Sequence, residues 1–128
     1  MPKIPITTEK APRAVGPYTQ GIRAGDFLFI SGQVPFDPAT GKLVEGDIAA
    51  QTHMVLKNIQ AIIEAGGGTM ANIVKVNVYL TNMDEFKSFN EVYAQYFSKT
   101  PPARCTVEVS RLLPGVMVEI EAIAHFKS

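Results

Sequence analysis

PPARCTVEVSRLLPGVMVEIEAIA, Pro101 to Ala124, decides the architecture. Pro101-Pro102 blocks helix and pushes the preceding backbone into extended conformations. Ala103 to Val109 then reads as a strand. Alternation puts Arg104, Thr106 and Glu108 on one face, with Cys105, Val107 and Val109 on the other. Pro114-Gly115 turns the chain into a last strand, Val116 to Ala124. Val118, Ile120 and Ala122 share one face of it, and Glu119 and Glu121 share the opposite face.

Working outward, Phe86, Phe89, Tyr93 and Phe97 recur at helical spacing just before the two prolines. Thr81 or Asn82 can cap that helix. Ile73 to Leu80 is a strand with Val74, Val76, Val78 and Leu80 facing one way. Gly66-Gly67-Gly68 stops an earlier helix, because glycine readily takes the left-handed conformation. That helix starts at Asp47 and carries Ile48, Thr52, Val55, Ile59 and Ile62 as one stripe, widened by Leu56 and Ile63. Tyr18 to Arg23 and Phe27 to Ser31 flank Ala24-Gly25-Asp26 as a hairpin. Phe27-Leu28-Phe29-Ile30 is too apolar for a strand wet on one side, so both of its faces are expected to be covered. Residues 1–16 are read as irregular, given Pro2, Pro5 and Pro12, and Val34 to Gly46 as a loop.

The order β-β-α-β-α-β-β predicts one α+β domain over residues 1–128, a mixed sheet with both helices on one face. Two helices cannot cover both faces of so wide a sheet. Association between copies is the economical cover for the other.

Lys plus Arg equals Asp plus Glu at 12 each, so formal net charge is zero. A nucleic-acid binder usually carries a basic excess, and this chain has none. Cys105 is the only cysteine, which excludes an internal disulfide and suits the cytoplasm. The N-terminal stretch has no apolar run of the secretory kind, and no stretch is long enough to span a membrane. No metal pattern is expected: His53 and His125 are the only histidines, and both are read as surface residues. The triple glycine follows a helix and lacks a following Gly-Lys-Ser/Thr, so it is no phosphate loop. Ser31-Gly32-Gln33 lacks the GxSxG frame.

Arg104 therefore stands out. A planar guanidinium can grip a carboxylate through two parallel hydrogen bonds. The competing reading is a salt bridge to Glu119 or Glu121. Each of these glutamates is flanked by apolar residues, which raises a carboxyl pKa and suits acid–base work. A solvated or ion-paired glutamate is the plainer alternative. Cys105 alternates with core residues and is expected to be a buried, inert thiol.

Taken together, PPARCTVEVSRL and VMVEIEAIA, with APRAVGPYTQG, FISGQVPFDPATG and FNEVYAQYF, resemble the RidA/YjgF family of reactive-intermediate deaminases. The resemblance covers nearly the whole chain. It implies a chorismate-mutase-like fold and a homotrimer with clefts between subunits. It implies hydrolysis of carboxylate-bearing enamines and imines, 2-aminoacrylate and its tautomer 2-iminopropanoate, to pyruvate and ammonia. Pyridoxal-phosphate enzymes release such intermediates; a functional link without obligate contact is implied, and no cofactor, nucleic acid or membrane. By motif, Arg104 holds the substrate carboxylate and Glu119 positions the attacking water. Tyr18, Ser31, Gly32 and Asn90 line the cleft. Many members read ARSCVEV where this chain reads ARCTVEV, so the pocket cysteine position is Thr106, and Cys105 precedes it beside the substrate. Threonine can hydrogen-bond to water or substrate but offers no thiolate. The resemblance also admits a non-catalytic regulatory protein that binds small carboxylates such as 2-ketobutyrate.

Overall fold

The structure, a computed structural model, describes residues 2–126. Ten elements follow in order: strands β1 Lys3–Ile6, β2 Gly21–Ala24, β3 Phe27–Gln33, β4 Phe36–Asp37 and β5 Lys42–Leu43; helix α1 Ile48–Ala65; β6 Ile73–Leu80; α2 Phe86–Tyr96; β7 Ala103–Glu108; and β8 Val118–His125.

Asp47 caps α1 as its sequence suggests, with Oδ1 accepting from Ala50 N at 3.1 Å. The stripe of α1 is buried, from Ile48 through Val55 and Ile59 to Ile63. Gly67 takes φ +93°, and the Gly68 amide donates to Ile63 O at 2.9 Å, closing the helix. Asn82 caps differently from expectation. It accepts from Asp84 N at 3.0 Å and so starts a 3₁₀ turn, Met83–Glu85, that leads into α2.

Six strands form one sheet in the order β1-β2-β3-β8-β6-β7. Only β6 and β7 are parallel, joined through α2; every other neighbouring pair is antiparallel. Leu28 and Ile30 of β3, Val76, Val78 and Leu80 of β6, and Val118, Ile120 and Ala122 of β8 share the core with α1 residues and Phe89. Both helices cover this one face, as expected of a mixed α+β sheet.

The opposite face is bare. Phe27, Phe29 and Val107 are 43%, 45% and 40% exposed. Within one chain the expectation that both faces of β3 are covered fails, because no element among the described residues lies on this side. Cys105 also points to it and is exposed, not buried. The alternation in β7 is as predicted; the side taken as core is the open one.

Four further expectations are corrected. Lys3–Ile6 is a strand, not irregular, because it lies at the sheet edge, where Pro5 deprives no inner ladder of a donor. Val34 to Gly46 contains the small hairpin of β4 and β5, paired Phe36 to Leu43. Val74 is exposed, since a register shift between Ile73 and Lys75 turns Ile73 into the core in its place. His53 is not a free surface residue: its Nδ1 lies 3.1 Å from Tyr96 Oη, between the helices.

Gln20 ties the N-terminal segment to the sheet. Its Oε1 accepts from Thr8 N at 2.7 Å, and its Nε2 donates to Thr8 O, Ala11 O and Pro12 O at 3.0, 3.2 and 2.7 Å. Gln20→Leu should leave these groups without their partner and lower stability by roughly 1–3 kcal/mol. Urea unfolding checks this; an unchanged midpoint would mean that the loop resolvates freely.

Candidate active site

Parallel register sets Arg104 beside Val76, so its side chain lies on the helix-covered face. Helix α2 presents Phe86, Phe89, Asn90 and Tyr93 to it, a set at i, i+3, i+4 and i+7. The guanidinium carbon lies 4.6 Å from the Tyr93 ring centroid, 5.4 Å from that of Phe86 and 5.8 Å from that of Phe89. Nη1 donates to Asn90 Oδ1 at 2.7 Å. Among the described residues no carboxylate pairs with Arg104, so it is a half-buried cation with one neutral hydrogen-bond partner. Thr106, two residues on, lies across from Val78. Its Oγ1 and the hydroxyl of Tyr93 are both buried without a partner. Burial pushes the Tyr93 phenol pKa up, and the Arg104 cation offsets this only in part.

Glu119 lies across from Tyr79, on the bare face. The register between β3 and β8 breaks between Ile30 and Gln33, and this irregularity brings Gly32 beneath the Glu119 carboxylate. A Cβ at Gly32 would overlap Glu119 Oε2. Ser31 Oγ donates to Thr19 O at 2.5 Å, fixing the bulge to the loop that carries the exposed Tyr18. Burial, and secondarily the charge of Glu121, raise the Glu119 pKa above the usual carboxylate value. Glu121 is held in place: its Oε2 accepts from Tyr79 Oη at 2.9 Å and from Asn77 Nδ2 at 3.0 Å. The bond to Glu121 in turn raises the Tyr79 pKa.

The predicted residues thus fall into two groups. Arg104, Asn90 and Thr106 belong to β7 and α2 on one face; Glu119, Gly32 and Ser31 lie on the other, and Tyr18 in the loop to which Ser31 is bonded. The sheet separates them within one chain, which rules out the salt bridge from Arg104 to Glu119 or Glu121. Cys105 stands opposite Asn77, on the Glu119 side, away from Arg104. Tyr18 also lines two concavities of about 660 and 590 Å³ around the N-terminal loop, neither of which includes Arg104 or Glu119. Among the described residues no three His, Cys, Asp or Glu side chains converge on a possible metal position. No helix there is long and apolar enough to cross a membrane.

The Gly32 contact can be tested directly. Gly32→Ala should displace the Glu119 carboxylate and cut any Glu119-dependent turnover by about tenfold, with a small change in melting temperature, since the atom that must move is the far end of a flexible side chain. Full activity in that variant would show that the glutamate can move without loss.

Residues 8–126 match the family described as Endoribonuclease L-PSP. The chain belongs to the YjgF/RidA family. A RutC family protein of Pyrococcus horikoshii is 57% identical to this RidA-family chain over 120 residues, 94% of this chain and 95% of that protein. The 2-iminobutanoate/2-iminopropanoate deaminase of Salmonella typhimurium is 45% identical over 122 residues, 93% of this chain and 94% of that protein. The structure of E. coli TdcF with bound serine superposes with a TM-score of 0.93 at 41% identity, covering 97% of this chain and 99% of that one. Such agreement gives the RidA fold without qualification.

Sequence reasoning missed several parts of this RidA-family site. Phe86, Phe89 and Tyr93 were legible as a buried helix face but not as a holder for Arg104. Gln20 lies inside the quoted GPYTQG stretch, yet only the tyrosine of that stretch stood out. Asn77 and Tyr79 alternate with valines, and nothing local marks them as partners of Glu121.

Proposed function

We propose that this protein is a hydrolytic deaminase of 2-imino acids, active as a homotrimer in the cytoplasm. The observation that carries this reading is Arg104: a half-buried cation, held from one side by α2 and without an anion of its own. Such a group suits the carboxylate of a small ligand. Serine bound to TdcF and the deaminase named among the relatives point to the same ligand class.

Because the sheet divides Arg104 from Glu119, one chain holds only half of the site. In the proposed trimer the bare faces turn toward neighbours, and Arg104 of one copy meets Glu119, Ser31, Gly32 and Tyr18 of the next. Arg104 then grips the α-carboxylate of the iminium and sets its C2 against a water. The Glu119 carboxylate takes a proton as that water's oxygen bonds to C2, giving a carbinolamine. The carboxylic acid returns the proton to the amine nitrogen, the C–N bond breaks, and nitrogen leaves as ammonia. The remaining hydroxyl proton goes to the departing ammonia, leaving the 2-oxo acid and ammonium. No redox partner or cofactor enters this balance. Thr106 Oγ1, uncommitted within the chain, has bonding capacity for the imine nitrogen or a water.

A carboxylate-binding regulator is the second reading. It draws on Thr106, which offers no thiolate at the position where the family resemblance implies a pocket cysteine. Hydrolysis of freshly generated 2-iminopropanoate by the purified protein distinguishes the two. Acceleration supports the deaminase; binding of 2-oxobutanoate without acceleration supports the regulator.

A further inference from the structure

We propose that Tyr93 is the positioning residue for Arg104: its ring face holds the guanidinium plane where that plane can meet a carboxylate edge-on. This rests on the reading of Arg104 as the carboxylate clamp. One hydrogen bond to Asn90 Oδ1 fixes a point on the guanidinium but not its plane. The plane is set by what lies under it. Tyr93 is the nearest ring, its centroid 4.6 Å from the guanidinium carbon, against 5.4 and 5.8 Å for Phe86 and Phe89. A cation within about 6 Å of a ring face is attracted to it, more strongly where water is excluded. Tyr93 is only 5% exposed, so water is excluded on that side.

The ring is itself locked. Phe89, Tyr93 and Phe97 pack in a tilted row along one face of α2 and just beyond it, with successive centroids 5.5 and 4.7 Å apart. The Tyr93 hydroxyl reaches no partner with hydrogen-bond geometry; the Arg104 cation lies near enough to favour its ionised form without a formed bond. Its contribution is therefore the ring, and phenylalanine should substitute for it while an aliphatic side chain should not. The same face of α2 serves as core packing and as the mount for the clamp.

The test compares Tyr93→Leu and Tyr93→Phe in the full-length protein. The first readout needs no ligand: the Arg104 side-chain NMR signals, assigned through Arg104→Lys, should be shifted upfield by ring currents in the parent and in Tyr93→Phe. That shift should shrink in Tyr93→Leu. The second readout is calorimetric binding of 2-oxobutanoate. Tyr93→Leu should bind about 5- to 10-fold more weakly, and Tyr93→Phe within about twofold of the parent. Unshifted Arg104 signals in the parent, or a Leu variant that keeps both signal and affinity, would overturn the proposal. So would a folded Phe variant as weak as the Leu variant, since the hydroxyl would then matter. A parent with shifted signals that binds 2-oxobutanoate but hydrolyses no imine upholds Tyr93's role and removes only the deaminase reading.

Discussion

Arg104→Ala lowers kcat/KM for 2-iminopropanoate by about 10²- to 10³-fold, the expected loss of a charge-assisted, two-point grip on a carboxylate. The loss appears equally in 2-oxobutanoate binding, because the carboxylate is present in both ligands. Arg104→Lys keeps the charge but loses the planar fork and the stacking on Tyr93, so it should recover only a small part. The fold should survive the alanine change. Arg104 is half-buried and makes one side-chain hydrogen bond, to Asn90, whereas the fully buried side chains around it, Phe89 and Val76 among them, stay in place. An Arg104→Ala protein with parental turnover removes the clamp, and with it the main argument for a carboxylate-bearing substrate.

The division of the site explains why the sequence was informative about residues and misleading about their arrangement. Alternation assigns faces within a strand: Arg104 with Thr106, Glu119 with Glu121. It says nothing of the phase between strands. That phase is set through β6, where Val76 meets Arg104 and Tyr79 meets Glu119, and these two β6 residues face opposite ways. Two residues close in sequence pattern thus end up on opposite sides of the sheet. Local irregularities were equally invisible. The bulge that brings Gly32 under Glu119 and the register shift at Ile73 both depend on the partner strand. What was legible were features with a local cause: the Asp47 cap, the Gly67 stop, the α1 stripe, and a bare sheet face demanding a cover. Phe27, Phe29 and Val107 lie on that face, and no element among the described residues covers it.

Glu119→Gln keeps the shape over Gly32 and removes the proton acceptor, so kcat should fall about 10²- to 10⁴-fold with little change in 2-oxobutanoate binding. The pH profile carries a separate signature. Because burial and the Glu121 charge raise the Glu119 pKa, the base is lost by protonation as pH falls through that raised value, and the rate falls with it. Glu121→Gln removes the second cause and leaves the first, so it should move the acid limb to lower pH while turnover at neutral pH persists. The arrangement across subunits adds a stricter demand. If each site takes Arg104 from one copy and Glu119 from the next, inactive Arg104→Ala and Glu119→Gln proteins, unfolded together in equal amounts and refolded, should complement each other. A mixed trimer has one interface in three where the intact arginine meets the intact glutamate. Random mixing then restores about a quarter of the parental sites, a consequence of cyclic symmetry alone. If both residues served one site from the same chain, mixing would restore nothing. A mixture that assembles into mixed trimers yet stays inactive would therefore overturn the site shared between copies.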